Sequence, residues 1–256
     1  MKCIYPDNIT AISADEENAS YPAANLTDEH PKKLWKATSR DAVVTAVVSS
    51  GGALAVIATN ATSISLTISS GQTIVWESGV TWDSGISWDT TGDSDTTEVS
   101  LLTGDITGAA WFNFAAARTS SFTATITLTA DAGQIVQAGC IVCGTLRDFR
   151  DPGRGIREGL IDYSIVKELN NGAFYTRKRD VVRTFDFSLI EDRASDFYTF
   201  MHTVARGVGP GPIAWYLVDG DSDSHWIAFA RFDQPPAGSH DMPDYSQINA
   251  RLVEVL

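Results

Sequence analysis

Residues 122–129, Phe-Thr-Ala-Thr-Ile-Thr-Leu-Thr, put an apolar side chain at every even position and a hydroxyl at every odd one. That period of two is the repeat of a strand with one face in a core and the other in water; a helix would scatter the same side chains around its axis. Stretches 41–48, 53–59, 64–68 and 135–142 are likewise rich in Val, Ile and Thr, the residues that fit a pleated, half-buried surface. Gly51-Gly52 and Asp131-Ala132-Gly133 punctuate them as turns. Outward Thr and Ser supply a polar face that needs little charge. Short strands separated in this way predict a β-sandwich or jelly roll over residues 1–146.

The character of the chain changes near residue 147. Residues 1–145 hold 15 acidic and 6 basic side chains, and between Lys36 and Arg147 the only basic ones are Arg40 and Arg118. Nine of the nineteen Lys and Arg residues then fall between Arg147 and Arg183, starting in the Pro/Gly-rich passage 147–155. Pro fixes φ and Gly frees it, so a boundary is placed between 146 and 147, leaving 147–256 as a second domain. In that domain Asn171-Gly172 marks a hairpin. Ser188-Leu189-Ile190-Glu191 fits a capping box, and Phe197, Phe200, Met201 and Val204 follow at helical spacing up to Gly207 and Gly209-Pro210. A second hairpin around Asp219-Gly220-Asp221-Ser222-Asp223 and a last strand from Ser246 complete a small α+β barrel or sheet with one helix.

The formal net charge of −13 argues against a general nucleic-acid binder, which needs a basic face for phosphates. No run of about 18 apolar residues is present, so membrane insertion is not expected. The opening residues lack the apolar stretch of a secretory signal. His30, His202, His225 and His240 stand in no metal-ligand or nucleophile motif, and there is neither a G-x-S-x-G nor a Walker loop, so no enzyme is expected. Cys140 and Cys143 have C-x-x-C spacing but fall on a strand, where residues three apart face opposite sides about 10 Å apart. With Cys3 they read as core thiols; no metal and no cofactor is expected.

Two features remain as candidate sites. Trp76-Glu-Ser-Gly-Val-Thr-Trp82-Asp-Ser-Gly-Ile-Ser-Trp88-Asp repeats every six residues. On extended segments that even spacing puts the tryptophans on one face, either as a sugar-stacking platform of Trp76, Trp82, Asp83, Trp88 and Asp89 or as cover for a sheet edge or a neighbouring subunit. The basic cluster Arg147, Arg150, Arg154, Arg157, Arg177, Lys178 and Arg179 has six acids interleaved between 148 and 180. It reads as a patterned protein interface, and the acidic first domain of another copy would complement it.

Asn18-Ala-Ser-Tyr21-Pro22-Ala-Ala-Asn25-Leu26-Thr-Asp28 followed by Leu34-Trp35 resembles the opening of a discoidin-type, galactose-binding-like jelly roll. As a whole the chain resembles minor tail and distal tail proteins of long-tailed bacteriophages and gene transfer agents. That likeness rests on Leu160-Ile-Asp-Tyr-Ser164, Asn171-Gly172, Arg183-Thr-Phe-Asp-Phe187, Pro212-Ile-Ala-Trp-Tyr216 and the terminal Arg251-Leu-Val-Glu-Val-Leu256. The resemblance implies a mainly β chain: a galactose-binding-like sandwich, then a small α+β barrel that stacks in a ring. It also implies a virion tail-tip component, made in the bacterial host cytoplasm, whose partners are further copies of itself and the tail tube, baseplate hub and fibre proteins. Some relatives bind carbohydrate through the sandwich, so a host surface glycan is the alternative partner. The four-cysteine iron–sulfur site of certain minor tail proteins does not carry over to a chain with three cysteines.

Overall fold

The computed structural model describes residues 1–70, 97–100, 108–152, 155–168, 174–192, 195–218, 224–240 and 244–255. The tryptophan repeat, with Trp76, Trp82, Asp83, Trp88 and Asp89, lies outside the described residues, as do Arg154, the Asn171-Gly172 turn and the loop 219–223. The chain is mainly β and divides into two compact units, Pro6–Leu146, and Met1–Tyr5 with Arg147–Leu256.

The unit Pro6–Leu146 is an antiparallel β-sandwich. One sheet runs in the order Ile9–Ala14, Asp41–Val48, Phe122–Ala130, Ala61–Ser70, Thr97–Ser100; the other places Gly51–Thr59 between Cys140–Asp148 and Gly108–Arg118. Along Phe122–Ala130 burial alternates without exception, with Phe122, Ala124, Ile126, Leu128 and Ala130 inside. They meet Leu54, Val56, Phe112, Ile141 and Cys143 in one core. Each fully buried large apolar side chain of this kind contributes about 1.5–3 kcal/mol. The segment around Asn25 and Trp35 has a packing reason: Leu26 and Trp35 are fully buried, and the Asn25 amide donates to the Leu34 carbonyl at 2.9 Å, tying the 3-10 turn Ala23–Thr27 to the strand that carries the tryptophan. Ala58 sits at φ +55° where the pairing with Gly108–Arg118 slips between Val56 and Thr59. Gly139 faces it, and a side chain there would bring two Cβ atoms within 2.8 Å.

The second unit holds an antiparallel sheet in the order Ile156–Asp162, Val181–Asp192, Tyr245–Glu254, Ile227–Phe232, Ile213–Tyr216, Lys2–Asp7. Residues 1–5, read above as part of the first domain, belong to this unit because Lys2–Ile4 pair with Ala214–Tyr216. A helical segment, 196–208, lays Phe197, Phe200 and Val204 on the sheet. Phe200 packs 5.2 Å from Phe149, 6.0 Å from Phe232 and 6.3 Å from Trp215 between ring centres, and the Trp215 indole N–H is satisfied by the Ala230 carbonyl. Gly209, at φ +58°, ends the helix in a backbone region that other residues avoid.

Ser188–Glu191 do not cap that helix. They continue the strand Val181–Asp192, in which Phe185, Phe187, Leu189 and Glu191 point inward. The strand's pairing with Tyr245–Glu254 over nine residues outweighs two cap hydrogen bonds.

Candidate functional site

In the second unit, Ile165–Glu168 and Phe174–Arg177 pair, among the described residues, only with each other, as Ile165 with Arg177, Val166 with Thr176, Lys167 with Tyr175 and Glu168 with Phe174. All eight residues are exposed, Phe174 by 69% and Val166 by 65%. Residues directly opposite in an antiparallel pair share a face. One face of this arm therefore carries Ile165, Arg177, Lys167 and Tyr175, and the other Val166, Thr176, Glu168 and Phe174. The first joins Ile165 and Tyr175 to two cations; the second joins Val166 and Phe174 to Thr176 and a single carboxylate.

The arm continues the longer ribbon formed by Ile156–Asp162 and Val181–Asp192, but the backbone ladder is interrupted at its root. There the Ser164 hydroxyl accepts the Arg179 N–H at 2.9 Å and lies 3.4 Å from the Arg179 carbonyl, taking the place of a backbone partner. The Asp162 carboxylate accepts the Ser164 N–H at 2.7 Å, and the hydrogen bonds from Ser164 hold its pKa below the ordinary 3.8. Leu160, Tyr163 and Val181 are exposed around this joint. An isolated two-stranded ribbon is marginally stable in water, and contiguous exposed apolar side chains of this size mark contact surfaces.

The basic residues read from sequence as one cluster fall in three places. Arg147 donates from Nε to the Tyr5 carbonyl at 3.3 Å, and the Arg150 guanidinium lies 5.3 Å over the Tyr245 ring. Arg157 lies on the sheet strand Ile156–Asp162, opposite Asp186. Arg177 ends the arm, and Lys178 and Arg179 are exposed at its root. Arg183 is an internal staple: it holds both oxygens of Glu254, at 3.0 and 2.5 Å, and donates to the His225 and Ile227 carbonyls.

The remaining chemistry-bearing groups do not converge among the described residues. His225 pairs with Glu158 at 2.9 Å, His240 with the Ser246 hydroxyl at 2.6 Å, and His202 stacks on Tyr198. Cys3, Cys140 and Cys143 are free and buried, and burial raises each thiol far above its ordinary pKa, which makes them poor nucleophiles. Among the described residues no group of three metal-ligating side chains forms.

The apolar half of the arm was missed in the sequence, although a signal is present. Ile165-Val-Lys-Glu168 and Phe174-Tyr-Thr-Arg177 place like beside like instead of alternating, so neither face is a core face.

No family model matches this chain, and no curated protein does. Solved structures with some likeness include a chain of reduced XRCC1 bound to the DNA pol beta catalytic domain, at 8% identity and TM-score 0.39 over 54% of this chain and 97% of that one. A mutant of chitosan-binding module 1 from a Paenibacillus sp. IK-5 chitosanase/glucanase aligns at 16% identity and TM-score 0.36, over 56% of this chain and 98% of the module. CpGH89CBM32-6 of Clostridium perfringens aligns at 14% and 0.32, over 52% and 90%. TM-scores below 0.5 at these identities assign neither a binding activity nor a partner to this chain.

Proposed function

We propose that this chain is a non-catalytic structural subunit of a long-tailed bacteriophage tail tip, or of a similar gene-transfer particle. It joins further copies of itself into a ring that connects tail tube, hub and fibres. The observation that supports this reading is the arm 165–177: its eight paired residues are exposed on both faces and include Ile165, Val166, Phe174 and Tyr175, a surface that costs solubility unless something covers it. A second copy suits it by charge. Lys167, Arg177, Lys178 and Arg179 gather on or beside the arm, whereas residues 1–145 are strongly acidic. Negative-stain images of particles from a strain lacking the gene test the reading in place. Particles with absent or aberrant tail tips are expected; complete and infective tails would overturn it. The alternative reading, a carbohydrate-binding module for host attachment, rests on the Trp76–Trp88 repeat.

A further inference from the structure

On one face of the second unit's sheet, three strands bring Arg157, Asp186 and Arg251 into a single row. Arg157 stands directly opposite Asp186, and Asp186 directly opposite Arg251. With strands about 4.8 Å apart, the row spans about 10 Å. Asp233, on the loop that follows Ile227–Phe232, extends it: Arg251 Nε lies 3.6 Å from a carboxylate oxygen of both Asp186 and Asp233. Two positions along the strands, Ser188 stands opposite Asn249 on the same face. These side chains floor an open groove of 570 Å³, with Ile156 and Pro235 contributing apolar wall.

We infer that this groove is a binding site for a neutral oligosaccharide. Three properties of the row select that class. Its formal charge is zero, two guanidinium groups against two carboxylates, so it offers a monovalent anion or cation no net attraction. Its groups also have hydrogen-bonding capacity to spare. Among the described residues Arg157 makes no hydrogen bond or ion pair, Arg251 is approached only at Nε, and the Asn249 side chain uses only its oxygen, accepting from Gln247 at 3.2 Å. Donors and acceptors alternate along the row as Arg, Asp, Arg, Asp. A run of sugar hydroxyls, each both donor and acceptor, can pair with every member in turn, which neither an acceptor-only phosphodiester nor a donor-only ammonium can do. Finally, the groove's volume is that of a small-molecule site, and Ile156 and Pro235 give the C–H face of a pyranose an apolar contact. The site is built by residues of the second unit alone, and it does not depend on ring assembly.

The test is an amide-shift titration of the full chain with chitotriose and maltotriose, with trigalacturonate and the glucosamine trimer as charged counterparts. Because the groove is open, dissociation constants of the order of 1 mM are expected. The shifts should appear at residues 157, 186–188 and 249–251 with at least one neutral trisaccharide. Asn249→Ala and Arg251→Gln should each weaken that binding about tenfold. Asn249 is exposed and bonded only to Gln247, so its substitution keeps the fold even if that of Arg251 does not. No shift in these rows with either neutral sugar would overturn the inference. So would tighter binding of a charged trimer, or binding that survives both substitutions and is lost in Trp82→Ala/Trp88→Ala.

Discussion

Among the described residues Glu191 is the one carboxylate that is fully buried. Its Oε1 accepts the Arg150 N–H at 2.9 Å, while Oε2 has no partner among the described residues. Burial raises its pKa above the ordinary 4.5; the Arg150 N–H and guanidinium oppose that shift, and the Asp196 charge adds to it. A carboxyl with a raised folded pKa binds its proton more tightly in the native state, so its contribution is most favourable below about 4.5 and is lost as pH rises through the raised value. Thermal unfolding over a pH series should show wild-type stability falling across that window. Glu191→Gln, which keeps the acceptor for Arg150, should flatten the fall; parallel curves would contradict this assignment. Arg183 shows the opposite case of a charge fully engaged. Arg183→Ala would leave Glu254, 12% exposed, without its two-point partner and two carbonyls without a donor. Urea unfolding should register a loss of about 2–3 kcal/mol, and a change below about 0.5 kcal/mol would show the staple to be idle.

At the scale of elements, legibility followed how local the deciding force was. The strand Phe122–Ala130 was readable because its own alternation matches its burial position by position. The helix was readable from the spacing of Phe197, Phe200 and Val204. Ser188–Glu191 misled because a cap motif is local, whereas the force that made it a strand is pairing with residues 246–249, some sixty positions later. The strand Lys2–Asp7 had no signal to offer, since its partner stands about two hundred residues away. Of the candidate site residues, the basic ones were visible as a run of charge, but their division among the base, the sheet face and the arm depends on strand register, which composition does not carry. The arm itself should behave as a weakly held element. Amides of 165–168 and 174–177 should exchange with solvent rapidly in dilute protein and gain protection as concentration rises. Protection that is the same at every concentration would mean that the arm is stabilised within one copy.

For the whole molecule, charge and exposed surface point in the same direction. The total of −13 conceals an acidic stretch of 145 residues and, after it, a region where positive charge gathers around an uncovered hairpin. On the proposed reading, opposite charge patches steer copies of this chain together and the apolar side chains of the arm hold them. The central claim, self-association through the arm, is tested most directly by size-exclusion chromatography with multi-angle light scattering, comparing wild type with Phe174→Ser/Tyr175→Ser. Both positions are exposed, so the substitutions should leave the monomer's circular dichroism unchanged. The account predicts a multimer of the 27.6 kDa chain for wild type and a monomer for the double variant. A wild type that remains monomeric at the highest concentration reached, or a variant that assembles as well as wild type, would contradict it.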